Sequence, residues 1–79
     1  MYNLNTALVE ETILEVLKTV TQKDTSAVTM DTDLADLNLK SIELISLSAL
    51  LDEKLGEAPN FRALMNMKTV QEIRDYILR

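Results

Sequence analysis

Ser41 stands where a helix is predicted to begin, in the stretch Leu-Asn-Leu-Lys-Ser-Ile-Glu-Leu over residues 37–44. A serine nucleophile needs a neighbouring base and a third group that orients the base. The chain contains no histidine and no cysteine, and the adjacent Lys40 does not point in the same direction as Ser41 at a helix start. The same two absences remove the thiolate and imidazole ligands of a zinc site. We therefore expect neither an enzyme nor a metal site.

Two non-catalytic roles are open to Ser41. Serine is a preferred N-cap residue, so Ser41 could serve the helix alone, in a helical interaction module that is never modified. An exposed hydroxyl at a helix N-terminus is also a favourable place for a phosphate, because backbone N–H groups and the helix dipole attract anions. A phosphodiester attached to this hydroxyl would be stabilised there. The stretch alone does not decide between the two roles.

Helical periodicity supplies the elements that must position Ser41. Apolar residues spaced three and four apart predict a first helix from about Thr6 to Val20. They predict a second helix from about Ser41 to Leu55, which Gly56 is expected to end. Ser41 therefore opens the central helix of the chain.

The segments around this helix are shorter or less regular. Residues 21–39 form a long polar connection, in which Thr-Asp-Leu-Ala-Asp-Leu predicts one helical turn. Residues 60–67 predict a short helical piece, and Thr69 with Glu72 predicts a capping box that opens the last helix. No stretch alternates with period two for long enough to be a strand. The sequence predicts an all-α fold, a small bundle of three main helices plus a short fourth.

The Ser41 helix has two apolar stripes. The stripe assigned to the core consists of Leu44, Leu47, Leu51 and Leu55. The second stripe, Ile42, Ile45 and Ala49, lies about 150° around the helix, beside Ser46, Asp52 and Glu53. Either this second stripe packs against a neighbouring helix, or it is an exposed apolar strip with an acidic rim. The latter is the layout of a partner-binding surface.

The charge of the chain is concentrated around the same helix. The net charge is −5, and residues 31–57, with seven acidic and two basic residues, hold all of the excess. This balance argues against nucleic-acid binding, which needs basic surface. The acidic region is either an ordinary solvated face or a surface that attracts basic partners.

The length of 79 residues predicts one domain over residues 1–79. The first five residues lack the basic and apolar regions of a signal peptide, and no apolar run approaches the ~20 residues of a membrane helix. We expect a free-standing cytoplasmic protein without membrane contact.

The whole sequence resembles the acyl carrier proteins, a family that also includes the peptidyl carrier proteins. The helix order and lengths are similar, and the family's Asp-Ser-Leu signature reads here as Lys40, Ser41 and Ile42, after Leu37-Asn38-Leu39. The closing residues, from Thr69-Val70 to Asp75-Tyr76-Ile77, are similar as well.

The resemblance implies that Ser41 receives a 4′-phosphopantetheine arm from coenzyme A through a phosphodiester. The thiol of the arm would tether acyl groups as thioesters in fatty-acid, polyketide or related biosynthesis, so that the chemistry belongs to the cofactor. The implied partners of this monomeric carrier are a phosphopantetheinyl transferase and an acyltransferase, ketosynthase or other carrier-dependent enzyme with a basic docking surface.

The resemblance also assigns partner-binding residues. These are Lys40, Ile42, Glu43, Ile45, Ala49, Asp52 and Glu53. The sequence departs from the family pattern at three positions, where Asn38 replaces a glycine, Ser46 replaces an acid and Lys40 replaces the aspartate of the signature. Because Lys40 reverses a charge beside the modified serine, we interpret the chain as a specialised carrier.

Overall fold

The computed structural model describes residues 4–79, and its helices follow one another in the predicted order. These helices are α1 (Thr6–Thr21), α2 (Ser41–Leu55), α3 (Phe61–Met65) and α4 (Val70–Leu78). A 3-10 turn, Leu34–Leu37, lies in the long connection, where the sequence predicts a helical turn. Residues 1–3, with which the predicted domain begins, lie outside the described residues. The prediction of an all-α bundle with three main helices and a short fourth is confirmed.

The ends of α1 and α2 are set by local residue chemistry. The side chain of Asn5 accepts a hydrogen bond from the N–H of Leu8 at 2.8 Å and so caps the start of α1. Gly56 ends α2 in the left-handed region, with φ 77°, where glycine has no steric penalty. The position and length of α2 are those that the sequence predicts.

The core lies between α1, α2 and α4. α1 packs against α2 and α4, and α3 packs against α2. Leu47, Leu51 and Leu55 of α2 are buried, as predicted for the core stripe. Leu44, the fourth member of that stripe, is half-buried: it packs against the core and, at the start of α2, also borders a surface groove.

The long connection is fixed to the start of α4. The N–H of Leu34 donates to the carbonyl of Lys68 at 2.8 Å, and the N–H of Gln71 donates to the carbonyl of Met30 at 2.8 Å. Among residues 4–79 there is no strand, and Asp33 and Thr69 form an isolated antiparallel bridge. The connection is thereby held in place before it reaches Ser41.

The predicted capping box of α4 is wrong in its hydrogen bonds. Thr69 is the N-cap residue, but its side chain makes no capping hydrogen bond. The Glu72 carboxylate accepts from the N–H of Lys68 at 2.6 Å, one residue earlier than predicted. The bridge to Asp33 holds Thr69 in an extended conformation and presents the N–H of Lys68 to this carboxylate.

In the part of the chain that the structure describes, no helix is both long enough and apolar enough to cross a bilayer.

Candidate functional site

Ser41 is the first residue inside α2, and Lys40 is the N-cap. Lys40 has extended backbone angles, φ −77° and ψ 160°, and its carbonyl accepts the first helical hydrogen bond, from Leu44, at 3.0 Å. Ser41 is therefore not the N-cap, which was one of the two roles that the sequence leaves open for it. The Ser41 side chain is exposed, and its hydroxyl makes no hydrogen bond to any other described residue.

Glu43 performs the capping that Lys40 does not. A lysine ammonium has only donors, so it accepts no hydrogen bond from the helix. The Glu43 carboxylate instead accepts from the backbone N–H of Lys40 at 2.7 Å, which is one half of a capping box. Glu43, which the sequence assigns to partner binding, therefore also fixes the backbone turn that presents Ser41.

The backbone at Asn38, two residues before Lys40, has a positive φ. Asn38 lies in the left-handed region, with φ 52° and ψ 44°. Asparagine tolerates this region better than most other residues with a Cβ atom, so no glycine is needed here. The 3-10 turn, Asn38 and the Lys40–Glu43 hydrogen bond together determine where the Ser41 hydroxyl lies.

An apolar groove of about 310 Å³ borders the start of α2. Its lining includes Leu34 and Leu39 of the connection, Leu44 of α2, and Leu64, Met65 and Met67 of the α3 region. The sequence does not predict this groove, because its walls come from segments about 30 residues apart. Two features indicate the groove. Apolar residues are scattered through an otherwise polar connection, and the Met65 side chain is 61% accessible to solvent.

The second apolar stripe of α2 is exposed. Ile42 is 70% accessible and Ile45 is 54% accessible, and Ala49 is exposed as well, whereas Leu47 on the opposite side is fully buried. Ile45 and Ala49 line a shallow second groove of about 350 Å³, together with Asp52 and with Phe61 of α3. The stripe thus continues from α2 onto the start of α3.

The charged residues around this stripe differ in their contacts. Asp52, at the edge of the second groove, is exposed and forms no ion pair within residues 4–79. Glu53 is also exposed, and Ser46 is half-buried. Glu57 pairs with Arg79 at 3.0 Å, and Lys54 lies 4.0 Å from Glu15. Of the predicted acidic positions, Asp52 is the carboxylate that is both beside the groove and without an ionic contact.

The geometry around Ser41 indicates a class of protein. A bundle of four helices presents an exposed serine at the start of α2, an apolar groove that borders the same helix start, and an exposed apolar face along α2. These features suit a carrier domain, to which a prosthetic group is covalently attached.

The comparison with known families agrees with this class. The model of the phosphopantetheine attachment site matches residues 11–77, and the chain therefore belongs to that family. The members are carriers defined by a covalently attached 4′-phosphopantetheine. The exposed Ser41 hydroxyl, the unpartnered start of α2 and the adjacent groove fit such a group. No curated protein and no solved structure matches the chain.

Proposed function

We propose that Ser41 is the attachment residue and that the chain is a non-catalytic acyl carrier. The single observation that supports this most is the exposed, unpartnered hydroxyl at the first position of α2, inside the span of the family match. When the arm is attached, its thiol supplies thioester chemistry to a chain that has no cysteine.

Loading requires a partner enzyme. The Ser41 oxygen forms a bond to the pantetheine-bearing phosphorus of coenzyme A, the pyrophosphate P–O bond breaks, and adenosine 3′,5′-bisphosphate leaves. The serine proton passes to a base on the phosphopantetheinyl transferase, because this chain has no histidine to accept it.

The groove beside Ser41 suits an apolar ligand. Leu34, Leu39, Leu44 and Leu64 contribute aliphatic surface, and Met65 contributes a flexible side chain that adapts to different shapes. We propose that this surface contacts the arm or the acyl group that it holds, which would remove apolar atoms from water.

The exposed face of α2 is the proposed docking surface. Ile42, Ile45 and Ala49 would form its apolar centre, and Lys40, Glu43, Asp52 and Glu53 its charged rim. Apolar centres with polar rims are typical of protein interfaces. The proposed partners are the transferase and an acyltransferase, ketosynthase or similar enzyme whose basic groups meet the acidic end of α2. The carrier itself is proposed to act as one monomeric domain in the cytoplasm, in a specialised pathway.

The alternative is an unmodified helical interaction module. It rests on Ser41 as a helix cap only, and its best support is Lys40 in place of the signature's aspartate. The cap role is weakened because Lys40 is the N-cap and the Ser41 hydroxyl makes no hydrogen bond among residues 4–79.

One experiment separates the two functions. The apo protein is incubated with coenzyme A and a broad-specificity phosphopantetheinyl transferase, and its intact mass is measured. We expect a gain of one phosphopantetheine in the wild type and none in Ser41→Ala, with equal circular dichroism for both proteins. A wild type that gains no mass, or a Ser41→Ala variant that gains it, would exclude this function for Ser41.

A further inference from the structure

The Lys40 side chain makes no hydrogen bond and no ion pair among residues 4–79. The N-cap residues of α1 and α3 are asparagines, Asn5 and Asn60, and the side chain of each accepts a hydrogen bond from a backbone N–H at 2.8 Å. Lys40, the N-cap of α2, has no acceptor to offer. Its positive charge also lies at the positive end of the helix dipole, which is unfavourable.

The backbone at the start of α2 lacks acceptors for the same reason. The N–H groups of Ser41, Ile42 and Glu43 have no hydrogen-bond acceptor among residues 4–79. Only the N–H of Lys40 itself is satisfied, by the Glu43 carboxylate. The first turn of α2 therefore has three backbone donors without a protein acceptor among residues 4–79, next to an exposed hydroxyl and to a lysine that pairs with no carboxylate of those residues.

Lys40 is a positive charge in an otherwise acidic part of the sequence. Lys40 is the only basic residue between Lys23 and Lys54, and that interval also contains Asp31, Asp33, Asp36 and Glu43 among its acidic residues. The ammonium forms no ion pair with any carboxylate of residues 4–79, and the carboxylate nearest in sequence, Glu43, is bound to the backbone instead. A phosphodiester on Ser41 would add one more negative charge to this acidic region.

We propose that Lys40 is the counter-ion of the phosphodiester that links the arm to Ser41. The inference rests on the proposed function and assigns a cofactor-binding role to a residue that the resemblance assigns to partner contact. In the apo protein the lysine opposes the helix dipole. In the loaded protein the phosphodiester is an anion attached to the adjacent residue. Lys40 and Ser41 leave the helix start in different directions, but the flexible four-carbon stem of lysine lets the ammonium reach a phosphate that extends beyond the Ser41 oxygen, so the same lysine becomes favourable. Loading should therefore stabilise this chain more than it would without Lys40.

The test compares apo and loaded melting temperatures of the wild type, Lys40→Gln and Lys54→Gln at low salt. Glutamine removes the charge without creating a strong N-cap. Lys54→Gln is the matched control, because it removes the same charge from the same helix about 20 Å further along the axis. We expect loading to raise the Tm of the wild type by about 1–5 °C more than that of Lys40→Gln, given the usual strength of exposed ion pairs.

Two further results are expected if Lys40 pairs with the phosphodiester. Lys54→Gln should respond to loading as the wild type does, and Lys40→Arg should retain the extra stabilisation. The difference between the wild type and Lys40→Gln should shrink at about 1 M salt, at which the Debye length is about 3 Å.

Equal Tm changes on loading in the wild type and Lys40→Gln would overturn the proposal. If Lys40→Gln then altered only the rate of the transferase, Lys40 would be a docking residue and not a counter-ion. Intact mass is measured before melting, so a failure of the arm to attach at all is seen separately. That result would contradict the proposed function and remove the inference with it.

Discussion

The two sides of α2 contain similar aliphatic residues in opposite environments. Leu47 and Leu51 are fully buried against the other helices, whereas Ile42 and Ile45 are more than half accessible to solvent. A helix that served only the bundle would need one apolar side. The exposed side extends along α2 from Ser41, in the first turn, to Asp52, at the edge of the second groove. The comparison shows that burial and not residue type separates the structural side of α2 from the proposed docking side.

The largest effect is expected on the buried side. Leu47→Ala removes aliphatic atoms from a fully buried site, and such a change destabilises a protein by about 2–5 kcal/mol. A domain of this size has a free energy of unfolding of only about 5–15 kcal/mol. We expect a sharp fall in Tm by circular dichroism. A fall no larger than that of a surface variant would show that Leu47 is not part of the core.

The matched change on the exposed side should leave the stability of the fold nearly unchanged. Ile45→Ala alters a side chain that is 54% accessible, so its effect on the free energy of unfolding should stay within about 0.5 kcal/mol. The same variant should weaken acyl transfer to or from a partner enzyme, measured as kcat/KM with the loaded carrier. Destabilisation equal to that of Leu47→Ala would identify Ile45 as buried structure.

A smaller effect is expected at Lys40, where the proposed docking side begins. If the modifying enzyme docks through basic groups, Lys40 repels it, by ~1 kcal/mol or less for exposed charges. A generic transferase should therefore load Lys40→Asp several-fold faster than the wild type. The difference in kcat/KM between the two proteins should become smaller at high salt.

A dedicated partner would behave differently. If Lys40 matches an acidic residue on such a partner, the Lys40→Asp variant should be recognised better by the generic enzyme and no longer be recognised by the dedicated one. Equal loading rates of the wild type and Lys40→Asp at low salt would make Lys40 neutral in docking and would remove the main support for a specialised carrier.

The sequence predicts the helices well because their signals are local. The bounds of α2 follow from its periodicity and from Gly56, which ends the helix in the left-handed conformation that favours glycine. The short α3 is likewise found inside the predicted residues 60–67. The path of the long connection is not predictable in this way, because Leu34 bonds to Lys68 and Met30 bonds to Gln71, far away in the chain.

For the candidate site the sequence proposes residues, whereas their contacts depend on the fold. Residue preference selects Ser41 as the N-cap, but preference does not include the Glu43 carboxylate, which binds the N–H of Lys40 and fixes the turn. The two apolar stripes are visible in the sequence, but which of them faces solvent depends on where α1, α3 and α4 pack. The groove beside Ser41 depends on the same packing and carries no motif of its own.

The position of the arm tests the central claim most directly. α2 contains two further serines, Ser46 and Ser48, both half-buried, which serve as internal alternatives within the same helix. After loading with coenzyme A and a transferase, the protein is digested and the modified peptide is fragmented in a mass spectrometer. We predict that the added phosphopantetheine lies on Ser41 alone. Its presence on Ser46, Ser48 or any other residue would contradict the assignment of Ser41 as the attachment site.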